Sequence, residues 1–175
     1  AVTIANAGGS TGTLNIGAAT GQSAVAAGTL SAPTVTFGAG TGTLLFNHTS
    51  TEASPYTFLP DITGAGTISA EGGYTNLTGD LSGFTGTASV TNNATLDFGS
   101  SYGGAVAVGS GGSITTNDTI SGTVTVNSGG TLKGTGTVGD TTVNSGGIVA
   151  PGNSIGTINV AGDISFAGGS FLDVE

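Results

Sequence analysis

Apolar residues in the second half of the chain fall into three files. The first holds Val90, Val108, Val126, Val143 and Val160, and the second Leu96, Ile114, Leu132, Val149 and Phe166. The third holds Phe84, Tyr102, Ile120, Val138, Ile155 and Leu172. Within a file the step is 18 or 17 residues. Between files it is six, shortened to five from Val138 to Val143 and from Ile155 to Val160. Small polar residues fill the intervals, as in GSGGSI (109–114), NSGGTL (127–132) and NSGGIV (144–149). One inward side chain per short face, with glycine at the corners, is the pattern of a coil that stacks on copies of itself. The files predict an all-β parallel β-solenoid with three short strands per coil. At roughly 18 residues per coil the chain would make about nine or ten coils, on the order of 45 Å long at the strand spacing.

The first half keeps this period less well, so residues 1–175 read as one solenoid with less regular coils over 1–83 and regular ones over 84–175. Tyr56, Ile62, Ile68 and Tyr74 are six apart, and TGTLNIG (11–17), TVTFG (34–38) and GTLLF (42–46) read as strands. NHTSTEASPY (47–56) is polar and contains proline, which predicts a loop or a wider coil with His48 solvated in it. The period alone leaves handedness open. The five-residue sides and the uneven first half favour right-handed coils.

Composition supports order over disorder. There are 35 Gly and 4 Pro in 175 residues, yet 36% of residues are apolar and only 6% charged. Disordered chains lack that β-branched content. No window has a convincing helical period, and no apolar run approaches the 18 residues of a membrane-spanning helix. A formal charge of −9 with a single Lys gives no surface for phosphates, which argues against nucleic acid and anionic membrane surfaces as partners. Zero Cys excludes disulfides and thiol chemistry and suits an exported chain as well as a cytosolic one. AVTIANAGGS lacks the charged and apolar regions of a signal peptide and reads like the middle of a repeat, so the chain is expected to be a trimmed fragment.

Candidate chemistry is sparse. KGTGTVGD (133–140) carries G-x-G-x-x-G at Gly134, Gly136 and Gly139, but DTTVNSGGIV after it alternates and turns like strands, whereas a dinucleotide site needs a helix there. APGNSIGT (150–157) lacks the Lys and helix of a phosphate cradle, and Ala150–Asn153 suits a type II turn. GDLSG (79–83) has Leu81 where a serine-protease nucleophile would stand, and His48 is the only histidine. Asp173 and Glu175 share a strand face without a ligand set around them, and the repeat glycines form no calcium-binding nonapeptide array. Asn47, Asn76, Asn93 and Asn117 begin N-x-S/T sequons that chance explains in so Asn- and Thr-rich a chain. The Thr-x-Thr pairs 34–36, 123–125 and 135–137 lack the one-per-coil spacing of an ice-binding face. The sequence therefore assigns no catalytic, cofactor-binding or metal-ligating residue and no cofactor.

The final third resembles the C-terminal part of autotransporter passenger domains, the exported portions of type V secretion proteins of Gram-negative bacteria. The residues that carry this are L-x-G-x-G-T-V (132–138), S-G-G (145–147), A-P-G-N-S-I-G-T (150–157) and G-S-x-L-x-V-E (169–175). FGAGTGTLLFNHT and LTGDLSGFTGT are similar to upstream passenger repeats. The resemblance implies a right-handed parallel β-helix at the cell surface and a C-terminal outer-membrane β-barrel as its partner, beyond Glu175. It implies a non-enzymatic stem and folding scaffold, with a host-cell receptor or self-association as further partners if the surface is an adhesin or ligand. The alternative is the β-helical support of a passenger enzyme, such as a protease, whose catalytic part lies N-terminal to this segment.

Overall fold

The computed structural model describes residues 1–152 and 155–174. Among these there is no helix; every strand belongs to one of four sheets, and all strand pairings within the sheets are parallel. The longest sheet has eight strands: Thr11–Gly17, Thr41–Asn47, Thr67–Gly72, Thr87–Val90, Ala105–Val108, Val124–Val126, Thr141–Val143 and Ile164–Phe166. A seven-stranded sheet runs beside it: Tyr56–Phe58, Tyr74–Leu77, Thr95–Phe98, Ser113–Thr116, Thr131–Gly134, Ile148–Pro151 and Phe171–Leu172. Each strand pairs with the corresponding strand of the neighbouring coil, so the chain is a parallel β-solenoid. Where the two long sheets run together, the seven strands make about six turns.

The coil count falls short of nine or ten because the coils are not uniform. Register partners along the long sheet are Leu14, Leu44, Ile68, Ala88, Val106, Val124, Thr141 and Ile164. Their separations are 30, 24, 20, 18, 18, 17 and 23 residues, so 18 is the rule only in the middle. Residues 18–33, 48–55 and part of 152–158 lie mostly outside the strands and lengthen their coils. Nor is a third strand uniform. The third side carries a three-stranded sheet at each end: Val2–Ile4, Thr34–Phe37 and Asp61–Thr63, then Thr119–Ile120, Thr137–Val138 and Asn159–Val160. Between them stand single bridges, Gly64 to Phe84 and Tyr102 to Ile120. Here stacked rings do the packing: Phe37 on Phe84 at 5.4 Å, Phe84 on Tyr102 at 5.6 Å and Tyr102 on Phe98 at 5.2 Å. The Tyr102 hydroxyl is satisfied by donating to the Gly86 carbonyl at 2.8 Å.

The interior is one apolar cluster from Ile4 to Val149. Val90, Val108, Val126 and Val143 pair in register, as do Leu96, Ile114, Leu132 and Val149, and Ile120 with Val138, all as the period predicts. Each such side chain contributes about 1.5–3 kcal/mol on burial. The last coil departs from the period. Val143 pairs with Phe166, Val149 with Leu172 and Val138 with Val160, so each of these three C-terminal residues sits one file away from its expected place. The cause is an excursion after Pro151 that carries Ile155 out to 83% exposure instead of into the core. In the first half Tyr74 also leaves the core. A register shift at Asn47, opposite Ala70 and Gly72, places Thr75 beside Tyr56 and Leu96 and turns Tyr74 outward. One inserted residue inverts the facing of everything after it.

Glycine files hold the corners. A Cβ on Gly86, Gly104 or Gly122 would run into the carbonyl oxygen of Gly66, Gly86 or Gly104 respectively, one coil away. The recurring G-T and G-x pairs before long-sheet strands thus mark where successive backbones touch. On the opposite corner, Gly111, Gly129, Gly146 and Gly169 all have φ between 73° and 83° and their amides bond upward from coil to coil, Gly129 N to Gly146 O at 2.8 Å.

The inward positions of the last coil are uncovered: Phe166 is 42% exposed and Leu172 53%. Together with the unpaired outer edge of Ile164–Phe166 and Phe171–Leu172 this predicts end-to-end association of the 175-residue chain. Sedimentation should show concentration-dependent oligomers; a strict monomer at high concentration would contradict it.

Candidate functional site

His48 lies where the sequence expects solvent, yet it is 1% exposed. It follows Phe46 by two residues, so both side chains turn to the same interior side. The ring packs edge-on to Phe46 and against Tyr56 at 5.3 Å. Nε2 shares a 2.8 Å hydrogen bond with Thr75 Oγ1, and Nδ1 accepts from the Ser50 amide at 3.3 Å. Burial pushes the His48 pKa below its ordinary 6.5. The folded state therefore prefers neutral His48 while the unfolded chain takes up a proton near 6.5. Stability is intact above that pH and falls as pH drops below it, with a slope of at most about 1.4 kcal/mol per pH unit for one proton. Urea unfolding at pH 7.5 and 5.5 should show this loss, and His48→Gln should remove most of it; equal slopes in both proteins would refute it.

The GDLSG segment holds no nucleophile. Leu81 is fully buried in the core, and Ser82 is engaged by Asp80, which accepts from its amide at 2.8 Å and its hydroxyl at 2.9 Å. These hydrogen bonds hold the Asp80 carboxyl below its usual range. The structure brings His48 to Thr75 and Ser50, not to Ser82. The G-x-G-x-x-G glycines are corner and ladder residues. A Cβ on Gly134 would meet the Thr116 carbonyl and one on Gly136 the Asp118 carbonyl. The strand Thr141–Val143 follows where a dinucleotide site would have a helix. Asn153 and Ser154 of the A-P-G-N-S-I-G-T element, the end of the proposed type II turn, and Glu175 of the Asp173 pair lie outside the described residues. Asn47 is no accessible sequon: it is 2% exposed and its Nδ2 donates to Ala19 and Gln22 carbonyls at 3.1 and 2.9 Å. Thr13, Thr43, Thr67 and Thr87 do form an outward file, which the sequence reading missed, but it ends at Ala105 and its neighbour file is Asn15, Leu45, Ser69 and Ser89. A two-file threonine array is thus not formed there.

The remaining polar concentration is on the outer face of the seven-stranded sheet. Asn76, Asp97, Thr115 and Lys133 are register neighbours in one row, and Tyr74, Thr95, Ser113 and Thr131 in the next. Lys133 is outward-facing, as its place in the period predicts. Burial pushes the Asp97 carboxyl up, while the Tyr74 hydroxyl and the Lys133 ammonium pull it down. Burial also raises the Tyr74 phenol, and the Asp97 and Glu52 carboxylates raise it further. An open recess of about 360 Å³ lies here, lined in part by Glu52, Tyr74, Thr95 and Lys133. No cluster of three or more metal-ligating side chains occurs among the described residues.

Comparison with known proteins returned no matching family, no matching curated protein and no matching solved structure.

Proposed function

We propose that this chain is a surface-exposed passenger segment of a bacterial autotransporter, a non-enzymatic stem and folding scaffold at the cell surface. Its coils are right-handed, with three short strands in each regular coil, and its partner is a C-terminal outer-membrane β-barrel. The observation that carries the reading is the unbroken apolar core, together with corner glycines that repeat from coil to coil through the region bearing the passenger-like motifs. Such a stack can form one coil at a time. Each added coil buries apolar area against the last, which opposes backsliding through a pore where no ATP is available. The regular coils over 84–149 have the most uniform interfaces and are the natural nucleus. The outward surface is then free to carry a host-cell-binding patch.

The test is display. The chain fused to an autotransporter barrel should reach the surface in protease-resistant form, and deletion of residues 132–175 should abolish that. Unchanged display of the deletion variant would overturn the scaffold role. Saturable binding of the folded chain to mammalian cells would add a ligand or adhesin role to it.

A further inference from the structure

Three buried side-chain oxygens among the described residues lack a hydrogen-bond partner: Asn76 Oδ1, Ser113 Oγ and Thr115 Oγ1. All three stand on the same outer face of the seven-stranded sheet, in the two rows that carry Tyr74 and Lys133. A solenoid's outer face is normally wetted, so buried unpaired oxygens belong to its interior if anywhere. Thr115 is nonetheless fully buried, between Asp97 on one neighbouring strand and Lys133 on the other. Unpaired buried polar atoms cost about 1–3 kcal/mol each, and they concentrate where a ligand or ordered solvent completes them. The recess beside them offers an aromatic ring, two carboxylates, one ammonium and hydroxyls within a single surface.

We propose that this recess binds a neutral carbohydrate, with Tyr74 as the stacking platform and Asp97, Thr115 and Lys133 as its polar contacts. The chemistry selects this class by elimination. An anion would face Glu52, Asp97 and a net charge of −9, with one lysine to hold it. A metal ion would find Lys133 among the carboxylates. An apolar ligand would leave the unpaired oxygens unpaired. A sugar hydroxyl both donates and accepts, so it satisfies a carboxylate, an ammonium and a threonine hydroxyl at once, and its C–H face packs on a tyrosine ring. The inference is independent of the passenger reading: it depends on the face of one sheet and not on how the chain is displayed.

The chain has no Trp and three Tyr, so tyrosine fluorescence reports on Tyr74 with little background. Titrations with maltotetraose, cellotetraose and chitotetraose, repeated by calorimetry, are the test. Saturable binding of at least one is expected, nearly unchanged between low and high salt. Tyr74→Ala and Lys133→Gln should each weaken it at least about ten-fold. Tyr74→Phe, which keeps the ring, should lose less than Tyr74→Ala, and Thr125→Ala on the other long sheet should change nothing. Thermal midpoints of the variants establish that they are folded. No saturable binding to any of the three, or binding indifferent to Tyr74→Ala in a folded variant, overturns the proposal. So does binding that collapses with salt, which would mark a charge-driven contact.

Discussion

Gly134→Val is expected to unfold the regular half of the solenoid or leave it barely stable. Gly134 has φ of 115°, a conformation β-branched residues scarcely adopt, and a Cβ there would overlap the Thr116 carbonyl of the coil before it. Backbone strain of that kind costs about 1–3 kcal/mol. The overlap adds to it, because the neighbour is backbone held by its own ladder. A total of at least about 3 kcal/mol is a large share of the 5–15 kcal/mol typical of a domain. Gly168→Ala is the control: φ there is not positive and nothing lies within 4 Å of the added carbon. That variant should be neutral or gain about 0.4–1 kcal/mol from a stiffer unfolded chain. Urea unfolding of both separates the account, in which a glycine is required where coils touch, from one in which glycine is merely frequent.

Leu132→Ala should cost about 2–5 kcal/mol, the range for emptying a well-packed apolar site. Leu132 is fully buried and stacked in register between Ile114 and Val149. Its neighbours in sequence point the other way, and Thr131→Ala should fall within about 0.5 kcal/mol of the parent. Because each coil contacts only the coils beside it, the damage should be local first. Amide exchange should open the 113–151 ladder in Leu132→Ala while the Thr41–Phe58 region keeps its protection. Uniform loss of protection along the whole chain would show a single cooperative unit instead.

How much of this was legible in the sequence varies with position. From Val90 to Val149 the files are correct residue by residue, because coil length hardly changes and a side chain's facing follows from counting. Counting fails where coil length changes. Ile155 matches the period but sits in an excursion, so Val160, Phe166 and Leu172 each fall in another file. Tyr74 fails for a smaller reason, the single extra residue opposite Asn47, which the Gly72-Gly73 pair signals only weakly. His48 was hidden by its polar neighbours; the strand alternation from Phe46 is the signal that finds it. The outer-face recess was not legible at all. Its members are spread from Glu52 to Lys133, and only the stacking of four strands brings them together.

Disulfide capture in this cysteine-free chain tests the stacking most directly. In the structure Thr142 is the register partner of Ser165, whereas the uniform 17-residue step places it beside Asn159. Paired strands stand about 4.8 Å apart, within the reach of a disulfide. The double variant Thr142→Cys with Ser165→Cys should oxidise to an intramolecular bond without loss of secondary structure. Thr142→Cys with Asn159→Cys should stay reduced under the same conditions. Cross-linking of the second pair in preference to the first would contradict the coil arrangement on which the account rests.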